Sequence, residues 1–245
     1  MRRLVACRPA FVLVAVVVGA APGTALAACH GMGTRPPRGA ITSDNAARFS
    51  EDATILAARV AVGPWLCGQR AAKFDRDLKR IRARFPAVTD IHALPDFALD
   101  QILIEVDTRA PWFAQWASGM ILTGDARVDM LLGRFQTAAI DSLFKGSASF
   151  VIRFSEPLNI PLIAKEFRSA SPYFQVVQEN GTVGDGNRIT FQNISGRRTY
   201  TFSLGWGDCS AGCASRHFWH FTLLADGRIV VRESGTPIPS LPVLE

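Results

Sequence analysis

Long apolar stretches are nearly absent from this chain of 245 residues. The one extended run, Ala10 to Ala21, is about half the roughly 20 residues that cross a bilayer, which argues against a retained membrane span. Lysine is also scarce, with four among the 27 basic residues and arginine supplying the other 23. That bias reads as the mark of a GC-rich bacterial genome rather than of phosphate binding. Two catalytic signatures are missing as well: no C-x-x-C of the thioredoxin type and no G-x-S-x-G nucleophile elbow. There is no internal repeat and no low-complexity segment.

What the N-terminus does contain is a leader pattern. Arg2, Arg3 and Arg8 precede the apolar run, Pro22-Gly23 breaks it, and Ala25-Leu26-Ala27 supplies small residues for cleavage. The expectation is export to the periplasm or medium with loss of residues 1–27. Leu26-Ala27-Ala28-Cys29 also fits a lipoprotein signal, so lipidation of Cys29 in the outer envelope stands as an alternative. Losing three arginines takes the formal charge from +6 to +3, an ordinary surface that speaks against nucleic-acid binding.

In an oxidising compartment the four cysteines that remain, Cys29, Cys67, Cys209 and Cys213, point to two disulfides, and three pairings are open. The simplest is Cys29–Cys67 with Cys209–Cys213. On the loop-entropy model these would contribute about 4 and about 2 kcal/mol respectively.

The pattern of the rest is α+β: a helical N-terminal region, then β-α-β elements, then a C-terminal antiparallel meander of four or five strands. In segments, a leader over 1–27 and an irregular stretch over 28–43 precede a helical region over 44–95. An α+β domain with an antiparallel sheet follows over 96–236, and a proline-rich tail over 237–245. Ser43-Asp44 resembles a helix cap, opening a helix to about Val62, and a second runs from Ala71 to Phe85. Strands are expected at 101–107, 150–154 and 174–178, and helices after Pro111, Asp125 and Pro157. Asn180-Gly181 reads as a turn. Ser195-Gly196 and Asp226-Gly227 read as hairpin turns between the last four strands.

The densest segment is Trp206 to His220, Trp-Gly-Asp-Cys-Ser-Ala-Gly-Cys-Ala-Ser-Arg-His-Phe-Trp-His. Written as Gly-Trp-Gly-Asp-Cys-x3-Cys followed by Arg-His-x-Trp-x-Phe, from Gly205 to Phe221, it resembles a signature of uncharacterised exported bacterial proteins. These often also carry Phe-Ser-Glu-Pro-Leu-Asn and Gly-Asp-Gly, here Phe154–Asn159 and Gly184–Gly186. The resemblance covers about residues 100–235 and implies export and a shared fold, with no activity attached. Residues 150–180 are similar to the small split β-α-β modules of subtilase propeptides.

Cys209, Cys213, His217 and His220 could be written as a zinc quartet. On a strand, however, residues three apart face opposite ways, and exported cysteines at this spacing favour a bridge, so no metal is expected. Nor does the spacing suit a redox cysteine. Asp208 with His217 or His220 could form a carboxylate–imidazole pair for hydrolysis, although Asp208 is better suited to accepting backbone N–H bonds within its own glycine-rich turn. Asp185-Gly186-Asn187 starts like a calcium loop without the later ligands. The aromatics Trp112, Phe113 and Trp116 suit a core. Arg76, Arg80, Arg82 and Arg84 spread over more than one helix face, which disfavours a polyanion site.

The sequence therefore suggests an exported, disulfide-stabilised, non-enzymatic binding or inhibitor-like module acting on a protein or cell-envelope partner, with no cofactor. Its candidate binding corner is Trp206, Asp208, Arg216, His217, Trp219 and His220. A small exported hydrolase using Asp208 with His217 or His220 is the alternative.

Overall fold

A computed structural model describes residues 35–182 and 184–238. The fold is α+β, with two four-stranded antiparallel sheets and helices on one face of each. Among the described residues no helix is long and apolar enough to cross a membrane.

Helix α1 spans Glu51–Arg59 and α2 Gly68–Arg84. The cap of α1 is Ser50, whose hydroxyl accepts from the Ala53 amide at 3.2 Å, rather than Ser43 as the sequence suggests. Only a short 3-10 turn, Ala46–Arg48, lies between. Ser43 is turned elsewhere, donating through its amide and its hydroxyl to Glu156.

Strand β1 is Phe97–Val106. After it come α3 (Phe113–Ala117), α4 (Ala126–Arg134, capped by Asp125) and β2 (Thr137–Ser142). Strand β3 (Ser149–Phe154), α5 (Ile160–Arg168) and β4 (Phe174–Gly181) complete this half. The sheet order is β2-β3-β1-β4, the split β-α-β arrangement in which each helical crossover leaves room for a strand between its neighbours. Alternation places Ile102 and Ile104 of β1, with Phe150, Ile152 and Phe154 of β3, on the helix-covered side. Trp112 and Trp116 join that core, as their helical spacing suggests. Asn180-Gly181 is no free turn: both residues lie in β4, and Gly181 pairs with Phe97.

The second sheet is a meander, β5 (Arg188–Ile194), β6 (Arg197–Trp206), β7 (Ser215–Leu223) and β8 (Ile229–Gly235), in that spatial order. Ser195 and Gly196 both take positive φ, 51° and 80°, the conformation a two-residue hairpin turn requires. The inner side carries Ile189, Tyr200, Phe202, Trp219, Phe221 and Leu223.

The helices covering this last sheet are the first two of the chain. Phe74 and Leu78 of α2 and Ile55 and Leu56 of α1 share its core, with Phe74 edge-on to Phe191 at 4.9 Å. Arg82 lies over the Phe202 ring. Asp77, buried in this contact, accepts the Tyr200 hydroxyl at 2.7 Å and pairs with Arg198. Residues 97–181, joined by Ala40 and Trp65, build a separate core. Asn159 joins the two cores: its side chain donates to the carbonyls of Ala61 and Gly63 at 3.2 and 3.1 Å, and its amide donates to Pro64. The neighbouring Leu158 bridges Trp65.

Candidate functional site

Strand pairing runs Gly205 opposite Arg216 and Trp206 opposite Ser215, so residues 207–214 form the connection between β6 and β7. The Cys209–Cys213 disulfide closes it. The glycines in the signature have steric reasons. A methyl group on Gly205 would run into Cys213 Sγ, and Gly207 has φ +90° with Ala214 where a Cβ would sit. The staple lies directly against β6 only because position 205 has no side chain. Cys67 is buried at the start of α2; Cys29, its expected partner, lies outside the described residues.

A second loop docks on this corner. The Asp185 amide donates to the Cys209 carbonyl at 2.8 Å. The Asp185 carboxylate accepts from the Cys213 amide at 3.2 Å, from the Gly186 amide at 2.8 Å and from Arg216 at 2.6 Å. These bonds, that of the Cys213 amide first, hold its carboxyl well below the usual carboxylate range. Arg216 is otherwise engaged by the Gly186 carbonyl and Ser203 Oγ, at 2.8 and 2.9 Å. Arg188 reaches Asp185 at 3.4 Å and Asp96 at 3.0 Å, and Asp96 also pairs with Arg59 of α1 at 3.0 Å. Five charges of alternating sign therefore run from α1 to β7.

The two histidines of the segment face opposite ways, as the period of a strand requires. His217 is buried, its Nδ1 at 3.0 Å from the Thr236 carbonyl and its Nε2 at 3.1 Å from Glu233, beside Trp219. His220 lies on the outer side between Thr201 Oγ1 (3.0 Å) and Ser234 Oγ (2.9 Å), stacked with Phe218. Asp208 bonds to neither. It is exposed and accepts the Ser210 hydroxyl at 2.6 Å, closing its own turn, and that bond lowers its pKa. Trp219 belongs to the inner core, whereas Trp206 is half-buried at the end of β6. The six residues of the expected corner therefore separate: Arg216 and His220 share the outer face, and His217 and Trp219 the inner one. Among the described residues, no group of three or more His, Cys, Asp or Glu side chains is placed to hold a metal ion.

That outer face of the second sheet is the candidate site. Its cross-strand rows are Arg188, Ser203, Phe218 and Ser234, then Thr190, Thr201, His220 and Arg232. A cleft of about 250 Å³ opens on it, lined by Asp185, Arg188, Thr190, Thr201, Ser203, Arg216 and Phe218. Sequence reasoning singles out Arg216 but misses Asp185 as its partner, and misses the serine, threonines and phenylalanine altogether. Their only signal is the polar half of the strand alternation. The Ser234–His220 contact is likewise unforeseen. The other nitrogen of His220 meets a hydroxyl, not the carboxylate that orients an imidazole base in hydrolases.

No family model, no curated protein and no solved structure matches this chain.

Proposed function

We propose that this chain is an exported, disulfide-stabilised binding module without a catalytic role, which engages a protein or cell-envelope partner through the outer face of its C-terminal sheet. The observation that carries the reading is the cleft itself: mixed hydroxyl, guanidinium, carboxylate and aromatic groups on an open face, anchored at one end by the stapled corner. Binding sites combine a few placed polar groups with an apolar wall in this way. Support for export comes from the leader pattern of residues 1–27, and the disulfide is compatible with it. The resemblance to exported proteins carrying the Gly-Trp-Gly-Asp-Cys signature fits the same reading, in which the signature residues act as scaffold. Asp185 of the Gly-Asp-Gly element meets Arg216 and Cys213, and Asn159 of Phe-Ser-Glu-Pro-Leu-Asn joins the two cores. An inhibitor-like role is one form of such a module.

The test is a photo-crosslinking residue at position 201 in cells that export the protein. Capture of one envelope component, absent when the crosslinker sits at the distant position 130, is the expected result. Turnover of an envelope substrate by the purified chain, with no capture, would overturn the reading. Intact mass with and without reductant decides between lipid on Cys29 and a second disulfide.

A further inference from the structure

We infer that the cleft on the outer face takes a neutral saccharide; this rests on the reading of that face as a binding surface and names its ligand class.

Two arginines in a cleft invite an anion, but here both are already engaged. Arg216 gives one terminal nitrogen to the Gly186 carbonyl and Ser203 and the other to Asp185. Arg188 is divided between Asp185 and Asp96. Each of the two cations thus already has a carboxylate partner, Asp96 being shared with Arg59, and Asp185, its carboxyl held well below the usual carboxylate range, sits in the cleft wall itself. A phosphate or carboxylate ligand would have to displace these internal partners and approach a fixed negative charge. A purely apolar ligand fares no better, because it would strip water from the exposed Thr190 hydroxyl and from Thr201 without replacing those hydrogen bonds.

A sugar ring meets both conditions. Its hydroxyls donate and accept, so they suit a wall that offers threonine hydroxyls from two adjacent strands, directly paired at Thr190 and Thr201. Its C–H face needs a flat apolar partner, and Phe218 supplies one. That ring is held by stacking on His220, with centroids 6.2 Å apart and planes 13° apart, and His220 is itself fixed between Thr201 and Ser234. The platform and the Thr201 hydroxyl are thus positioned before any ligand arrives, which lowers the cost of ordering them on binding. The volume of about 250 Å³ lies just below the range of drug-sized pockets and suits one or two rings of a longer chain resting on the open face.

The experiment uses the whole exported chain, with maltotriose, cellotriose, chitotriose and mannotriose as probes and inorganic phosphate as the anionic control. Amide NMR shifts are followed for residues 188, 190, 201, 203, 216 and 218. At least one trisaccharide should shift these amides saturably, and high salt should leave the binding unchanged. Phe218→Ala should weaken it about tenfold or more. Thr190→Val, which keeps the shape of an exposed strand residue and so keeps the fold, should weaken it several-fold. The inference falls if phosphate shifts the same amides and salt abolishes that binding, or if none of the four sugars shifts them. Failure with sugars while crosslinking at position 201 still captures an envelope protein would remove the saccharide and leave the binding surface. Failure of both would remove the two together.

Discussion

The attachment of the first helices to the last sheet can be tested at a single hydroxyl. Tyr200 is fully buried and donates to Asp77 at 2.7 Å across 123 residues of sequence. Burial, and then the bond to Asp77, push its phenol above the ordinary range, so the hydroxyl stays a donor. A hydrogen bond to a charged acceptor contributes about 1.5–3 kcal/mol, and a chain of this size loses roughly 2–4 °C in Tm per kcal/mol. Tyr200→Phe should therefore lower Tm by roughly 3–12 °C in a reversible thermal melt. Asp77→Ala removes the acceptor for Arg198 as well and should cost about 3–5 kcal/mol, because it leaves the other side of a mostly buried pair uncompensated. In the double variant the two losses should fall short of additivity by about 1–2 kcal/mol. A Tyr200→Phe change within about 0.5 kcal/mol of wild type, or full additivity of the pair, would refute the placement of α2 on this sheet.

Other consequences follow from the corner and the joint between the cores. Gly205→Ala should push the staple off β6, destabilising by about 1–3 kcal/mol; thiol titration of the purified variant should also find Cys209 and Cys213 partly reduced. Reducing the wild-type bridge should cost about 2 kcal/mol and speed amide hydrogen exchange at 185–188 and 213–216, where the two loops meet, while leaving β1 and β3 unchanged. Because the Asp185 pKa is depressed in the fold, its contribution is present above the unfolded value and lost as pH falls through the folded one. The stability gap between wild type and Asp185→Asn should then hold down to about pH 4 and close only in stronger acid, as followed by denaturant titration. Asn159→Ala leaves the Ala61 and Gly63 carbonyls without their donor and should lower stability by about 1–3 kcal/mol in the same titration.

Periodicity within the chain made most elements readable. The opposite orientation of His217 and His220 followed from the two-residue repeat alone, and the Cys209–Cys213 bridge from spacing and the expected oxidising compartment. Strand β2 escaped notice because Thr137–Ser142 carries a single large apolar residue, Ile140, and looks like a loop when read singly. The cap at Ser50 was masked by the more familiar Ser43-Asp44, whose serine is drawn off by a glutamate 113 residues away. Distance along the chain hid the rest. Asp185 and Arg216 are 31 residues apart, and nothing local to either marks the other as its partner. The cleft was illegible for the same reason: its hydroxyls are ordinary strand residues until three strands are laid side by side.

The points where residues 97–181 enter and leave the rest of the fold lie together. Thr182 donates through its amide to Asp96 and through its hydroxyl to Pro95, at 3.2 and 2.6 Å, and Phe97 pairs with Gly181. The split β-α-β half is in effect a guest folded within a host, and the host is complete only when its own two pieces meet around it. Synthesis from the N-terminus would thus leave α1 and α2 without their sheet until the final strands appear, so folding of the host waits for the whole chain. Under the export proposed above, such a design costs nothing, since all of the partners arrive before any of them is needed.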